Sequence, residues 1–91
     1  MAQKHAYLIM AHGEFALLQY LVHALDDPRN DLFIHIDAKV SDLPEIKTEK
    51  AGAYMLKDRL DVRWGDVSQI ETELLLFKTA VAKGPYAYYH L

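Results

Sequence analysis

The stretch Ala6–Ala11, with the sequence AYLIMA, is an unbroken apolar run that ends at His12-Gly13. Apolar residues at every position, without alternation, indicate a strand that is buried on both faces, as in a parallel sheet. A second run of this kind, Leu32–Ile36 (LFIHI), ends at Asp37. The two runs predict neighbouring parallel strands, which must be joined by a crossover connection.

The segment between the two runs has the period of a helix. From Glu14 onward, apolar residues recur at i, i+3, i+4 and i+7, which is the spacing of one helical stripe. The stripe consists of Leu18, Leu21, Val22 and Leu25. Turn-forming residues follow at 26–31, and Pro28 is predicted to end the helix. The sequence therefore predicts a βαβ unit with a right-handed crossover.

The second half of the chain has weaker signals. Pro44–Lys50 could form a short polar helix, Ala53–Leu56 a third strand, and Val62–Trp64 a short extended piece. The residues Ser68–Glu71 match the S-x-x-E capping box, which predicts the start of a second long helix.

The second helix is predicted to end at Lys83–Pro85, because glycine and proline stop helices there. Its apolar stripe is predicted to be core, and consists of Ile70, Leu74, Phe77 and Val81. Tyr86–Leu91 then reads as a further strand with its three tyrosines buried and their hydroxyls at the sheet edges. The order of elements predicts an α/β sandwich with a mostly parallel sheet.

Composition restricts the function. The 91 residues form one small domain with a net charge of −3 and no basic run, so a nucleic-acid partner is not expected. The lack of cysteine excludes disulfides and thiolate chemistry. Neither a signal peptide nor an apolar run of about 20 residues is evident. These features predict a cytoplasmic or peripherally membrane-associated protein.

Candidate ligand-binding residues follow the predicted strands, because ligands bind beyond the carboxyl ends of parallel strands. These residues are His12-Gly13, Asp37 and the Arg63–Asp66 turn. A carboxylate such as Asp37 can accept two ribose hydroxyls, although it could instead cap the following turn. Trp64 offers a face for a base, although it could simply cover the sheet edge. The pattern suits a nucleoside.

Phosphate and metal motifs do not occur in the sequence. There is no G-x-G-x-x-G, no G-x-x-x-x-G-K-[ST] and no D-x-D. His12 and His35 could join Asp37 around a metal, but two histidines on neighbouring strands are more often structural. No bound metal is therefore expected.

Four segments in register carry a resemblance to a known family. They are Lys4–His12, Asp27–Asp37, Arg63–Gly65 with Ser68, and Tyr88–Leu91. Together they resemble bacterial members of the core-2/I-branching β-1,6-N-acetylglucosaminyltransferase family, which also includes the peptide O-xylosyltransferases. The resemblance implies a GT-A-type, Rossmann-like fold and an inverting glycosyltransferase that works without a metal.

The resemblance also implies roles for individual residues. The backbone at Met10-Ala11-His12 would line the uracil side of the donor pocket, and Asp37 would bind uridine. Trp64 would pack near the base, with Ser68 at the start of the helix behind it. Two departures from the family pattern are Gly13, where a larger polar residue is common, and Val67, where many relatives carry an aromatic residue.

Family members continue beyond the segment that matches Tyr88–Leu91, into the catalytic glutamate and the basic residues that neutralise the diphosphate. No catalytic residue is therefore assigned within this chain. The chain is expected to be the N-terminal donor-binding part of an enzyme. The donor would be UDP-N-acetylglucosamine or UDP-xylose, and the acceptor a glycan or glycoprotein-type molecule. The alternative is a small α/β nucleotide-binding module without transferase activity. A receiver-like or flavodoxin-like signalling domain is a weaker alternative, because no acidic pair follows the first strand. The chain is also expected to leave apolar area open for self-association.

Overall fold

A computed structural model describes residues 4–63 and 65–91. Along the chain lie β1 (His5–Ala11), α1 (Phe15–Ala24), β2 (Asn30–Ile36), β3 (Gly52–Met55), α2 (Val67–Lys83) and β4 (Tyr88–His90). The four strands form one sheet in the order β3-β2-β1-β4, and every neighbouring pair is parallel. This arrangement confirms the predicted α/β fold class.

Each face of the sheet has its own hydrophobic core, because successive residues of a strand point to opposite faces. Leu32, Ile34 and Ile36 of β2 pack with Leu18 and Val22 of α1. On the opposite face, the cluster contains Ala6, Leu8, Phe33, Leu56, Leu76 and Ala80. The sheet therefore lies between α1 and α2, as a three-layer sandwich requires.

Helix α1 is shorter and less buried than predicted. Leu18 and Val22 are buried, but Leu21 is 42% exposed. Leu25 is the C-cap residue, so the helix ends before Pro28 and does not need the proline to stop it.

Helix α2 presents a different face to the sheet from the predicted one. Its buried residues are Thr72, Leu76 and Ala80. The predicted core stripe is exposed, with Ile70 at 58%, Leu74 at 57%, Phe77 at 44% and Val81 at 49%. The prediction was wrong because α2 has apolar residues on more than one side. The face with the smaller residues is the one that lies against β1 and β2.

The start of α2 also differs from the prediction. The N-cap is Asp66, whose side chain accepts a hydrogen bond from the Val67 amide at 2.6 Å. Ser68 already lies inside the first turn, so the S-x-x-E match is not a capping box. Asp66 and Ser68 are both good N-cap residues, and the sequence pattern selected the wrong one.

The segment 44–50 contains no helix, so the predicted short polar helix is wrong. Asp26 holds the end of this segment, because its carboxylate accepts hydrogen bonds from the amides of Glu49, Lys50 and Ala51 at 2.7–2.8 Å. Likewise, Val62 and Arg63 are not part of a strand.

The closing strand is confirmed, although its tyrosines are less buried than predicted. Tyr88 is 49% exposed, while Tyr86 and Tyr89 are half-buried. The Tyr86 hydroxyl donates a 2.6 Å hydrogen bond to Asp31 Oδ2. Burial, reinforced by the Asp31 carboxylate, raises the pKa of Tyr86 well above its usual value.

Candidate functional site

A cleft opens at the sheet edge where β1 and β2 end. Its walls are formed by Met10, Ala11, His12, His35, Asp37 and Val62. The parallel pairing of β1 with β2 places Ala11 beside Ile36, so the residues that follow the two strands are neighbours. The structure thus brings Met10, Ala11, His12 and Asp37 together, as the sequence predicted. The enclosed volume is about 10 Å³, which holds about one water-sized group.

Asp37 is 2% exposed and already has several partners. Its Oδ1 accepts from the Lys39 amide at 2.8 Å, and its Oδ2 accepts from the Val62 amide at 3.2 Å. Burial alone would raise the pKa of this carboxyl, but its bonds with Lys39 and Val62 outweigh that effect and lower the pKa. Asp37 is therefore ionised at neutral pH. It caps the following turn, which was the alternative role considered from the sequence.

Lys39 is a charged group beside the cleft that the sequence did not single out. Its Nζ lies 2.6 Å from Asp61 Oδ1, 2.9 Å from the Val62 carbonyl and 3.2 Å from Asp37 Oδ2. Three acceptors match the three N–H donors of an ammonium group. Lys39 therefore braces the segment around Asp61 against the end of β2, and its donors are already engaged within the chain.

His35 is the other cleft residue whose contacts the sequence did not predict. Its side chain is fully buried, and Nε2 accepts a hydrogen bond from the Leu60 amide at 2.9 Å. Burial lowers the pKa of His35, against the opposing effects of the Asp37 charge and its own backbone carbonyl. The imidazole is therefore held neutral.

Ser68 does not line the cleft, and the other remaining predicted site residue, Trp64, falls outside the part of the chain that the structure describes. The Ser68 hydroxyl accepts from the Arg63 amide at 2.9 Å, and so fixes the turn before α2. Trp64, the predicted stacking residue, lies outside the described residues. The base-contact role of Trp64 therefore stays a prediction.

A wider groove lies on the other side of the end of β1, beside α1. It shares Met10, Ala11 and His12 with the cleft, and its remaining walls are mainly apolar, with Leu17 and Tyr20 on the α1 side. Its volume is about 430 Å³, within the range of small-molecule sites. The end of β1 thus separates a narrow polar cleft from a broad apolar groove.

Residues 4–63 and 65–91 contain no candidate metal-ligand group and no candidate membrane-spanning helix. No three His, Asp or Glu side chains in this part of the chain are grouped so that they could hold a metal ion. Neither of the two helices described is long and apolar enough to cross a bilayer.

The parallel sheet, the two helix layers and the cleft at the strand ends define an α/β domain with a ligand site of the Rossmann-like type. A sequence model of the Core-2/I-Branching enzyme family matches residues 5–89, so the chain belongs to this family of glycosyltransferases. The fold is consistent with part of a GT-A domain. Comparisons with curated proteins and with solved structures find no match.

Proposed function

We propose that this chain is the donor-binding part of an inverting, metal-independent glycosyltransferase that uses a UDP-sugar, either UDP-N-acetylglucosamine or UDP-xylose. The observation that carries the proposal is the convergence of Met10, Ala11, His12 and Asp37 at one cleft. In a family of glycosyltransferases, such an edge is where the nucleoside of an activated donor belongs.

Within this proposal, the chain binds and orients the nucleoside. Three contacts already use Asp37, from the Lys39 amide, the Val62 amide and the Lys39 ammonium group. An ionised carboxylate has about four acceptor positions, so one remains for a ribose hydroxyl. The backbone at Met10–His12 lines the base side, and the adjoining groove provides volume that the cleft lacks.

The chemistry of an inverting transfer requires two further roles. A carboxylate must deprotonate the acceptor hydroxyl, and cations must stabilise the departing diphosphate. Lys39 does not serve as that cation, because Asp37, Asp61 and Val62 surround its ammonium group. The proposal therefore gives this chain the binding of the donor and assigns it no catalytic residue.

The test is calorimetric titration of the chain with UDP, with EDTA present to remove metals. The variant Asp37→Asn should bind UDP about tenfold more weakly, because an amide is a poorer acceptor for ribose hydroxyls than a carboxylate. Asp26→Asn is the matched control, since Asp26 also accepts backbone amides but precedes β2 and so lies at the opposite edge of the sheet.

The outcomes separate the parts of the proposal. Equal binding by wild type and Asp37→Asn would remove Asp37 from the site. Absence of UDP binding by the wild type would overturn donor binding altogether. Binding that requires added Mg²⁺ or Mn²⁺ would contradict metal independence.

A further inference from the structure

Within residues 4–63 and 65–91, a buried polar atom of the cleft lacks a hydrogen-bond partner. This atom is His35 Nδ1, which is buried and makes no hydrogen bond to any of the described residues. Nearly all buried polar atoms in proteins are paired, because a buried donor without an acceptor loses its hydration without compensation. This atom therefore indicates a position where something from outside the chain is received.

The contact on the other ring nitrogen determines what Nδ1 offers. Nε2 accepts from the Leu60 amide at 2.9 Å, so it cannot carry a proton. A neutral imidazole has one N–H group, which must then be on Nδ1. Burial keeps the ring neutral. His35 thus provides a fixed, uncharged N–H donor at the cleft.

The surroundings of this donor restrict the acceptor. The cleft admits about one oxygen-sized group, and its other walls include Met10, Ala11 and Val62. The charged groups nearby are Asp37, Lys39, Asp61 and Arg59, whose formal charges cancel. Of these four, Asp37 is the one that lines the cleft. The ionised carboxylate of Asp37 in the cleft wall disfavours a negatively charged phosphate oxygen, whereas the neutral oxygen of a carbonyl group suits the size of the cleft and is not repelled by Asp37.

We infer that His35 is a specificity-determining residue, whose Nδ1–H donates a hydrogen bond to a carbonyl oxygen of the donor's nucleobase. This inference rests on the proposed function, because it assumes that a nucleotide occupies the cleft. Uracil carries such oxygens and adenine carries none, so the contact selects uridine nucleotides over adenine nucleotides. In the absence of ligand, one water molecule satisfies the same donor.

Two variants distinguish the contribution of Nδ1 from that of Nε2. In His35→Gln, the amide oxygen reaches the position of Nε2, so the bond from Leu60 is kept and the donor at Nδ1 is lost. In His35→Asn, the shorter amide nitrogen replaces Nδ1, so the donor is kept and the bond from Leu60 is lost. Calorimetric titration with UDP and with ADP should be carried out on the wild type and on both variants.

We expect His35→Gln to weaken UDP binding about tenfold, which corresponds to about 1.4 kcal/mol, and to leave ADP binding unchanged. His35→Asn should bind UDP within about threefold of the wild type. Unchanged UDP affinity in His35→Gln would overturn the inference. An equal loss in both variants would also overturn it, because His35→Asn keeps the donor at the position of Nδ1. A loss in His35→Asn alone would overturn it by showing that His35 acts through its bond from Leu60. If the wild type itself does not bind UDP, the proposed function fails as well.

A spectroscopic measurement on the wild type covers the case in which a variant does not fold. Long-range ¹H–¹⁵N spectra should show His35 protonated on Nδ1, and the Nδ1 proton should shift when UDP is added but not when ADP is added. Protonation on Nε2 would contradict the assignment. An Nδ1 proton whose chemical shift does not change when UDP is added would also contradict it.

Discussion

Replacing single leucines in α2 distinguishes the observed orientation of the helix from the one that its sequence pattern predicts. Leu76 is fully buried against the sheet, whereas Leu74, two positions earlier, is 57% exposed. Truncation of a fully buried leucine removes its transfer free energy and leaves a cavity, so Leu76→Ala should cost about 3 kcal/mol. Less than half of the Leu74 side chain is removed from water, so Leu74→Ala should cost about 1 kcal/mol at most.

The assay is urea unfolding followed by circular dichroism. With a slope of about 1 kcal/mol per molar urea for a small domain, the midpoint should fall by about 3 M in Leu76→Ala and by about 1 M or less in Leu74→Ala. A domain of this size has about 5–14 kcal/mol of stability in total, so both variants should be measurable. Each should be unfolded at two protein concentrations tenfold apart, because self-association through the exposed stripe would add to the apparent cost of Leu74→Ala. A loss in Leu74→Ala that equals or exceeds the loss in Leu76→Ala at the lower concentration would refute the orientation.

Three further changes test local contacts. Asp66→Ala should cost about 1 kcal/mol because it removes the N-cap of α2, and it should cost more than Ser68→Ala in the same urea assay. Tyr86→Phe should lower stability by about 1.5 kcal/mol, because it removes a donor from the buried Asp31 carboxylate, and a loss below about 0.3 kcal/mol would contradict that bond. Lowering the pH from 7 to 5 should destabilise the wild type, because burial lowers the pKa of His35 and the unfolded chain, whose histidine pKa is about 6.5, takes up the proton first. The pH dependence should be flatter in His35→Gln, and equal slopes for the two proteins would show that His35 does not titrate as described.

The fold could be predicted where the sequence pattern has one interpretation. The runs at 6–11 and 32–36 are apolar apart from His35 and do not alternate with polar residues, so their pattern favours a strand that is covered on both sides. Helix α2 could be located but not oriented, because Leu74 and Leu76 lie on different sides and both are apolar. Which side faces the sheet depends on packing in three dimensions, and the side that is buried carries the small residue Ala80.

The sequence predicts which residues meet at the candidate site but not the partners that these residues bind. That His12 and Asp37 would meet follows from parallel pairing, since parallel strands end at a common edge. The partners of Asp37 and His35 could not be predicted, because they depend on the path of residues 56–63, which have neither a helical nor a strand period. Turn segments of this kind are positioned by individual hydrogen bonds, which leave no periodic signal in a sequence.

Residues 60–62 form a wall of the cleft that is held by side chains at and just beyond the end of β2 and by the backbone bond from the Ala38 amide to the Leu60 carbonyl. His35 and Asp37 are two residues apart, so both point to the same face. Their side chains accept hydrogen bonds from the amides of Leu60 and Val62, which are also two residues apart. These bonds require a neutral imidazole and an ionised carboxylate, and both states exist together only above the pH at which His35 takes up a proton. A neutral His35 also keeps its N–H group available to the cleft. The proposed ligand contact and the position of the wall therefore both depend on His35 being neutral.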